Sequence, residues 1–137
     1  MISVLCVDDE TVLLDVTRAF LERTGEFSVV TSTSAKEAIG LLADHFYDAI
    51  VSDYQMPGMD GLALLKHIRA ENNAVPFILF TGKGREEVAI EALNSGADFY
   101  LQKGGEPKSQ YAELANKIRQ AVQRREAEKA LVQSEEK

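Results

Sequence analysis

The sequence predicts a doubly wound α/β fold, and three observations predict it. Five short apolar runs are too brief and too rich in β-branched and aromatic residues to be helices. Five amphipathic stretches carry apolar residues at helical spacing. The two kinds alternate strictly along 137 residues. Parallel neighbouring strands need crossover helices, so this alternation predicts a five-stranded parallel sheet with helices on both faces.

Each element has its own signal. Ile2 to Val7 reads as a buried strand, followed by a helix with Val12, Leu13, Val16, Ala19 and Phe20 at helical spacing that stops at Gly25. Phe27 to Val30 is a second strand. Ser34 with Glu37 forms a capping box that opens a helix bearing Ala38, Ile39, Leu41 and Leu42. Ala49 to Ser52 is the third strand, and a loop with Pro57, Gly58 and Gly61 precedes a helix with Leu62, Leu65 and Ile68. Pro76 introduces the fourth strand, Phe77 to Phe80. A helix from about Glu86 to Ser95 ends at Gly96, the fifth strand covers Phe99 to Gln102, and a long last helix starts near Ser109.

Composition narrows the function classes. A net charge of −7 argues against nucleic-acid binding by bulk electrostatics. The lone Cys6 forms no internal bridge, and no Cys/His cluster has zinc spacing, which suits a reducing compartment. Apolar runs are far too short to span a membrane, and Met1 leads directly into Ile2, Val4 and Leu5 with no basic leader. A cytoplasmic protein without membrane contact is expected.

In open α/β sheets, ligands sit at the carboxyl ends of the strands where strand order reverses. Those ends carry Asp8, Asp9 and Glu10 after the first strand, Asp53 after the third, Thr81 after the fourth and Lys103 after the fifth. Clustered carboxylates repel one another, and a hard divalent cation such as Mg2+ relieves the repulsion with oxygen ligands. An ammonium and a hydroxyl facing them suit a phosphoryl group, and an aspartate between metal and lysine can act as nucleophile. Taken alone, each has an ordinary reading: Asp8 and Asp9 as helix caps, Asp53 in a turn, Thr81 in a loop, Lys103 as a solvated charge. Their shared position at the strand ends favours the joint reading.

These residues resemble the receiver domain of two-component response regulators over nearly the whole domain. The resemblance implies a flavodoxin-like sheet of order 2-1-3-4-5 with five helices, the last extended. It implies that Asp8 and Asp9 are a Mg2+-binding pair, with Asp9 the direct ligand, that Asp53 in the run Val51-Ser52-Asp53-Tyr54-Gln55-Met56-Pro57-Gly58-Met59-Asp60-Gly61 is the phosphoacceptor, and that Gln55 lends the metal a backbone carbonyl. Thr81 then resembles the switch hydroxyl, Tyr100 the rotating aromatic three residues before Lys103, and Lys103 the lysine that neutralises phosphoryl oxygens. Gln55 and Lys83 flank the path of attacking water in this family and are expected to tune the lifetime of the phosphorylated state. The chain departs from the family at Gly104 and Gly105, where a proline usually follows the lysine. A trans bond from Lys103 to Gly104 is expected there, because cis bonds are strongly disfavoured without proline.

The function implied is a signalling switch that takes a phosphoryl group from a histidine kinase or phosphotransfer domain onto Asp53 and relays it as a change of surface, not an enzyme with an external substrate. Two other readings come from different classes. An aspartate-nucleophile phosphatase shares the acids, lysine and magnesium, but its usual Asp-x-Asp on strand one is broken by Glu10 and the chain has no room for a cap insertion. A pseudo-receiver would keep the fold without the chemistry, against which the intact acid, hydroxyl and lysine set speaks.

Residues 1–123 are expected to form the receiver domain and 124–137 a helical linker. The stripe Tyr111, Leu114, Ile118, Ala121 and Val122 can dock on the sheet, whereas the sequence after Arg124 continues as helix with only a thin apolar seam. Its ending, Gln133-Ser134-Glu135-Glu136-Lys137, resembles the helix leading into a PAS sensor domain in receiver-containing sensory kinases. A downstream sensor, kinase or output domain is therefore an expected partner. Partner or homodimer contacts, where they form, are expected on the face of the fourth helix, fifth strand and fifth helix, or on the C-terminal helix. Arg125 and Glu128 interrupt the heptad, so coiled-coil pairing should be weak in isolation.

Overall fold

The computed structural model describes residues 1–82 and 86–135. Its elements run β1 (Ile2–Val7), α1 (Thr11–Arg23), β2 (Phe27–Ser32), α2 (Ala35–Asp44), β3 (Ala49–Ser52), α3 (Gly61–Ala70), β4 (Phe77–Thr81), α4 (Glu86–Asn94), β5 (Phe99–Gln102) and α5 (Pro107–Glu135). All strand pairs are parallel, in the order β2-β1-β3-β4-β5. The order reverses between β1 and β3, which opens a crevice at their carboxyl ends.

Alternation along each strand sorts its side chains between two apolar layers. Leu5, Val7, Ile50, Phe77 and Leu79 meet residues of α2, α3 and α4, while Val4, Cys6, Val51, Ile78 and Phe80 meet α1 and α5. The central strands are buried on both faces, which is why they read as continuous apolar runs. Burial pushes the Cys6 thiol up to about 12, with the Asp8 charge adding to the effect, so the group behaves as a small hydrophobe.

The helix ends follow local chemistry. Ser34 caps α2 by accepting from the Glu37 N–H at 3.1 Å, and the Glu37 carboxylate accepts from the Thr33 N–H at 3.0 Å, one residue earlier than an ideal capping box. Asp60 caps α3 through the Ala63 N–H at 2.8 Å. Gly25 takes the left-handed φ of +79° just after α1, as expected of a helix-ending glycine.

Three boundaries differ from the sequence reading. β2 runs on to Ser32 because Thr31 and Ser32 pair with Cys6 and Val7 through the backbone, which is indifferent to their polar side chains. β4 likewise includes Thr81, opposite Gln102. Helix α5 opens at Pro107 rather than near Ser109, since a first-turn residue needs no N–H partner and proline is preset for it.

Helix α5 is continuous through residue 124 and spans about 43 Å at 1.5 Å per residue. Tyr111, Leu114, Ala115, Ile118 and Ala121 bury one side of its first half. Beyond them Arg124 reaches the Asp98 carboxylate at 3.2 Å and lies 5.3 Å from the centre of the Phe99 ring, and Lys129 lies 5.8 Å from that of Phe46. Asp98 is also approached by Arg69 at 3.6 Å and accepts from the Phe77 N–H at 2.8 Å, so one carboxylate ties α3, β4 and α5 together ahead of β5. Leu131 and Val132 are exposed. No helix among the described residues is long and apolar enough to cross a membrane.

Candidate functional site

Five sequence-nominated side chains meet at the carboxyl edge of the sheet. Asp8 and Asp9 follow β1, Asp53 follows β3, Thr81 ends β4 and Lys103 follows β5. One carboxylate oxygen from each of Asp8, Asp9 and Asp53 can be chosen so that all lie within 4.8 Å of one another. The Lys103 ammonium is 2.7 Å from Asp8 Oδ2 and 3.6 Å from Asp53 Oδ1. The Thr81 hydroxyl, on a residue only 3% exposed, is placed so that it favours the charged form of the Asp53 carboxylate.

The backbone fixes this arrangement. The Asp53 N–H donates to Val7 O at 2.9 Å and the Lys103 N–H to Thr81 O at 2.7 Å, carrying the sheet ladder one residue beyond the strand ends. The Lys103–Gly104 peptide is trans, as are all described bonds, and Gly104 sits at φ +118°, a region open to glycine alone. The departure from a lysine–proline sequence therefore yields a turn of its own kind.

Asp8 is the most enclosed of the acids, at 6% exposure, and both its oxygens are engaged: Oδ1 accepts from the Glu10 N–H at 2.9 Å and Oδ2 pairs with Lys103. Asp9 is exposed and Asp53 half-buried. Such a donor set of hard oxygens fits a magnesium ion, with Asp9 and Asp53 offering the less committed oxygens and Asp8 placed to act through water. Gln55 lies two residues past Asp53 in the β3–α3 turn with an exposed side chain. Lys83 lies outside the described residues.

Burial raises the Asp53 carboxyl above its ordinary 3.8; the Thr81 hydroxyl and Lys103 oppose this, Asp8 adds repulsion, and the Tyr54 N–H opposes it again. A carboxyl raised in the folded state binds more protons folded than unfolded, so its ionisation opposes folding. That opposition is absent below pH 3.8 and complete above the raised folded value. In metal-free buffer with chelator, Asp53→Asn should therefore melt higher than the native chain at pH 7, and the gap should close as the pH falls below 3.8. A gap that widens on acidification would contradict this sign.

Tyr100 packs against the α2–α4 layer, while its neighbour Phe99 faces the α1–α5 layer. Its hydroxyl is buried with no hydrogen-bond partner among the described residues, and such a group costs about 1–3 kcal/mol. The inward ring is thus held by packing against a polar penalty. Tyr100→Phe removes the penalty and keeps the ring. Urea unfolding should show a gain of about 1 kcal/mol, and a loss would mean the hydroxyl has a partner in solution.

Two residues of the site were not nominated from sequence. Gly61 is read there as loop punctuation and as the end of the run that carries Asp53, with no role of its own, yet a Cβ at this position would fall on the Asp53 carbonyl oxygen, which also accepts from Ser52 Oγ at 2.8 Å. The Gly61 N–H closes the turn on Tyr54 O at 2.7 Å. The Pro57-Gly58…Asp60-Gly61 run after an aspartate is the signal that could have found it. The second is Phe80, whose ring centre lies 5.5 Å from the Lys103 ammonium.

A parallel sheet of order 2-1-3-4-5 with acids, a hydroxyl and an ammonium at its switch point defines a flavodoxin-like α/β domain with a polar site at that crevice. Comparison with known proteins makes the class specific. A family model described as "Response regulator receiver domain" matches residues 4–119. The response regulator SaeR of Staphylococcus aureus (strain USA300) is 36% identical over 116 residues, 85% of this chain and 50% of that protein. The chain thus spans about half the length of the curated relatives it matches. Among solved structures, the Francisella response regulator 1452 receiver domain superposes with a TM-score of 0.81 at 31% identity, covering 90% of this chain and 98% of that one. A response regulator receiver domain protein from Clostridium thermocellum gives a TM-score of 0.82 at 26% identity, covering 93% and 98%. The chain belongs to the response regulator receiver domain family. It is a regulatory domain of two-component signalling.

Proposed function

We propose that this chain is a cytoplasmic phosphoacceptor switch in which Asp53 receives a phosphoryl group from a phosphohistidine. The observation that carries this reading is the convergence of Asp53 with Lys103, Thr81 and two further carboxylates at the strand-order switch. An Asp53 carboxylate oxygen attacks phosphorus in line as the P–N bond breaks, and the leaving imidazole keeps the electron pair and takes up a proton. Lys103 meets the phosphoryl oxygens with an ammonium already beside the carboxylate. The Thr81 hydroxyl donates to a phosphoryl oxygen, and the Tyr100 hydroxyl, without a partner among the described residues, gives its ring cause to turn. Asp8, Asp9, Asp53 and the Gln55 backbone carbonyl would hold Mg2+, which supplies positive charge that offsets the phosphoryl oxygens as they approach three acids. Gln55 and Lys83 tune how long the phosphoryl group stays.

Residues 1–123 act as the receiver and 124–137 as a helical linker to a downstream sensor, kinase or output domain. The continuity of α5 and its contacts through Arg124 and Lys129 support a linker that leaves the domain in a fixed register. Self-association through the α4–β5–α5 face or the end of α5 is the expected consequence of switching. Exposed Ile90 and Leu93 on α4, and Leu131 and Val132 on α5, support those two places.

The experiment is incubation with a small phosphodonor and Mg2+. Intact mass should rise by one phosphoryl group, lost again in hydroxylamine. No gain, or a hydroxylamine-resistant gain, would overturn the reading.

A further inference from the structure

We propose that Phe80 is a positioning residue for Lys103, its ring face holding the ammonium at the mouth beside Asp53; the role rests on the phosphoacceptor reading above. A lysine that must meet phosphoryl oxygens carries its charge on a flexible four-carbon stem, and something has to keep that stem over the site. The residues after it supply no wall, because Gly104 and Gly105 have no side chains and Gly104 turns the chain at φ +118°. The backbone bond from Lys103 to Thr81 O fixes where the stem begins but not where it ends.

Phe80 supplies the wall. It is the β4 residue before Thr81, 3% exposed, on the α1–α5 side of the sheet. The Lys103 ammonium lies 5.5 Å from its ring centre, within the range where the negative face of an aromatic ring attracts a cation. Phe80, Asp8, Asp53 and Lys103 line one small recess, so ring and carboxylates approach the ammonium together. The ring is itself braced: Tyr111 meets it nearly edge-on at 6.0 Å and stacks on Phe20 at 4.8 Å, with Thr17 Oγ1 and the Tyr111 hydroxyl 3.3 Å apart. Phe80 thus differs from the other buried aromatics on its face in having a charged group of the site against it.

The test separates attraction by the ring from simple filling of space. In the full chain, Phe80 is replaced with 4-fluoro-, 3,5-difluoro- and 3,4,5-trifluorophenylalanine, which nearly keep the ring volume while progressively draining its negative face. The rate constant for phosphoryl uptake from a small phosphodonor with Mg2+ is read by intact mass, beside the melting temperature of each protein. The expected result is a stepwise fall in rate with each added fluorine, reaching about two- to thirtyfold for the trifluoro protein, with melting temperatures nearly unchanged. A flat series, in a native chain that does take up phosphoryl on Asp53, overturns the role of Phe80 and leaves the phosphoacceptor reading standing. A native chain that takes up none removes both.

Discussion

Gly61→Ala is expected to be among the most damaging single-methyl changes in this protein, lowering stability by about 3 kcal/mol, the upper part of the range for overpacking a filled interior. The added Cβ falls on the Asp53 carbonyl oxygen and lies 3.1 Å from Leu79 Cδ1, so neither neighbour leaves room. The leucine can turn, but the carbonyl belongs to the backbone that ends β3 and carries the Asp53 side chain. Either α3 moves away, breaking the 2.7 Å bond from the Gly61 N–H to Tyr54 O, or the β3 end moves and takes Asp53 with it. Thermal unfolding should fall by roughly 10 °C for a chain of this size. The surviving folded protein should also accept phosphoryl groups more slowly. A variant that melts within a degree or two of the native chain would show that the turn relaxes where the packing leaves no space.

Lys103→Met is expected to act in two opposite directions. Removing a charged group that stabilises a developing anion typically slows the step by about 100- to 1,000-fold, and phosphoryl uptake by Asp53 should slow on that order. Magnesium binding should tighten, because the ammonium now 2.7 Å from Asp8 Oδ2 no longer competes for that oxygen or repels the ion. Stability should fall as well, since an enclosed carboxylate loses its counter-charge. Magnesium titration and phosphorylation kinetics on one preparation check both directions. An uptake rate within a few-fold of the native chain would dismiss the role of the lysine, and a weaker metal would mean that Asp8 needs its ammonium to stay in place.

The fold was legible where burial on both faces writes itself as an apolar run. Ile2–Val7 and Ala49–Ser52 were read at their observed ends for that reason. Thr31 and Ser32 were invisible because they belong to β2 through backbone pairing alone. The strand-end logic brought Asp8, Asp9, Asp53, Thr81 and Lys103 to one place without any knowledge of their rotamers. It could not tell that Lys103 lies closer to Asp8 than to Asp53, since that depends on how a flexible side chain divides itself between two carboxylates. Gly61 and Phe80 escaped for a different reason. A glycine needed for close approach looks like any loop glycine, and an aromatic in a strand looks like core, which Phe80 also is.

The central claim is that Asp53 is the atom donor to the new phosphorus–oxygen bond. Its most direct measurement is peptide mass mapping, after borohydride trapping, of the native chain and of Asp53→Asn, each exposed to the same small phosphodonor with Mg2+. One modified site at Asp53 in the native chain, and no uptake at a comparable rate in Asp53→Asn, is the expected result. A variant that takes up one phosphoryl group as fast as the native chain, or a modification mapped to Asp8 or Asp9, would contradict it.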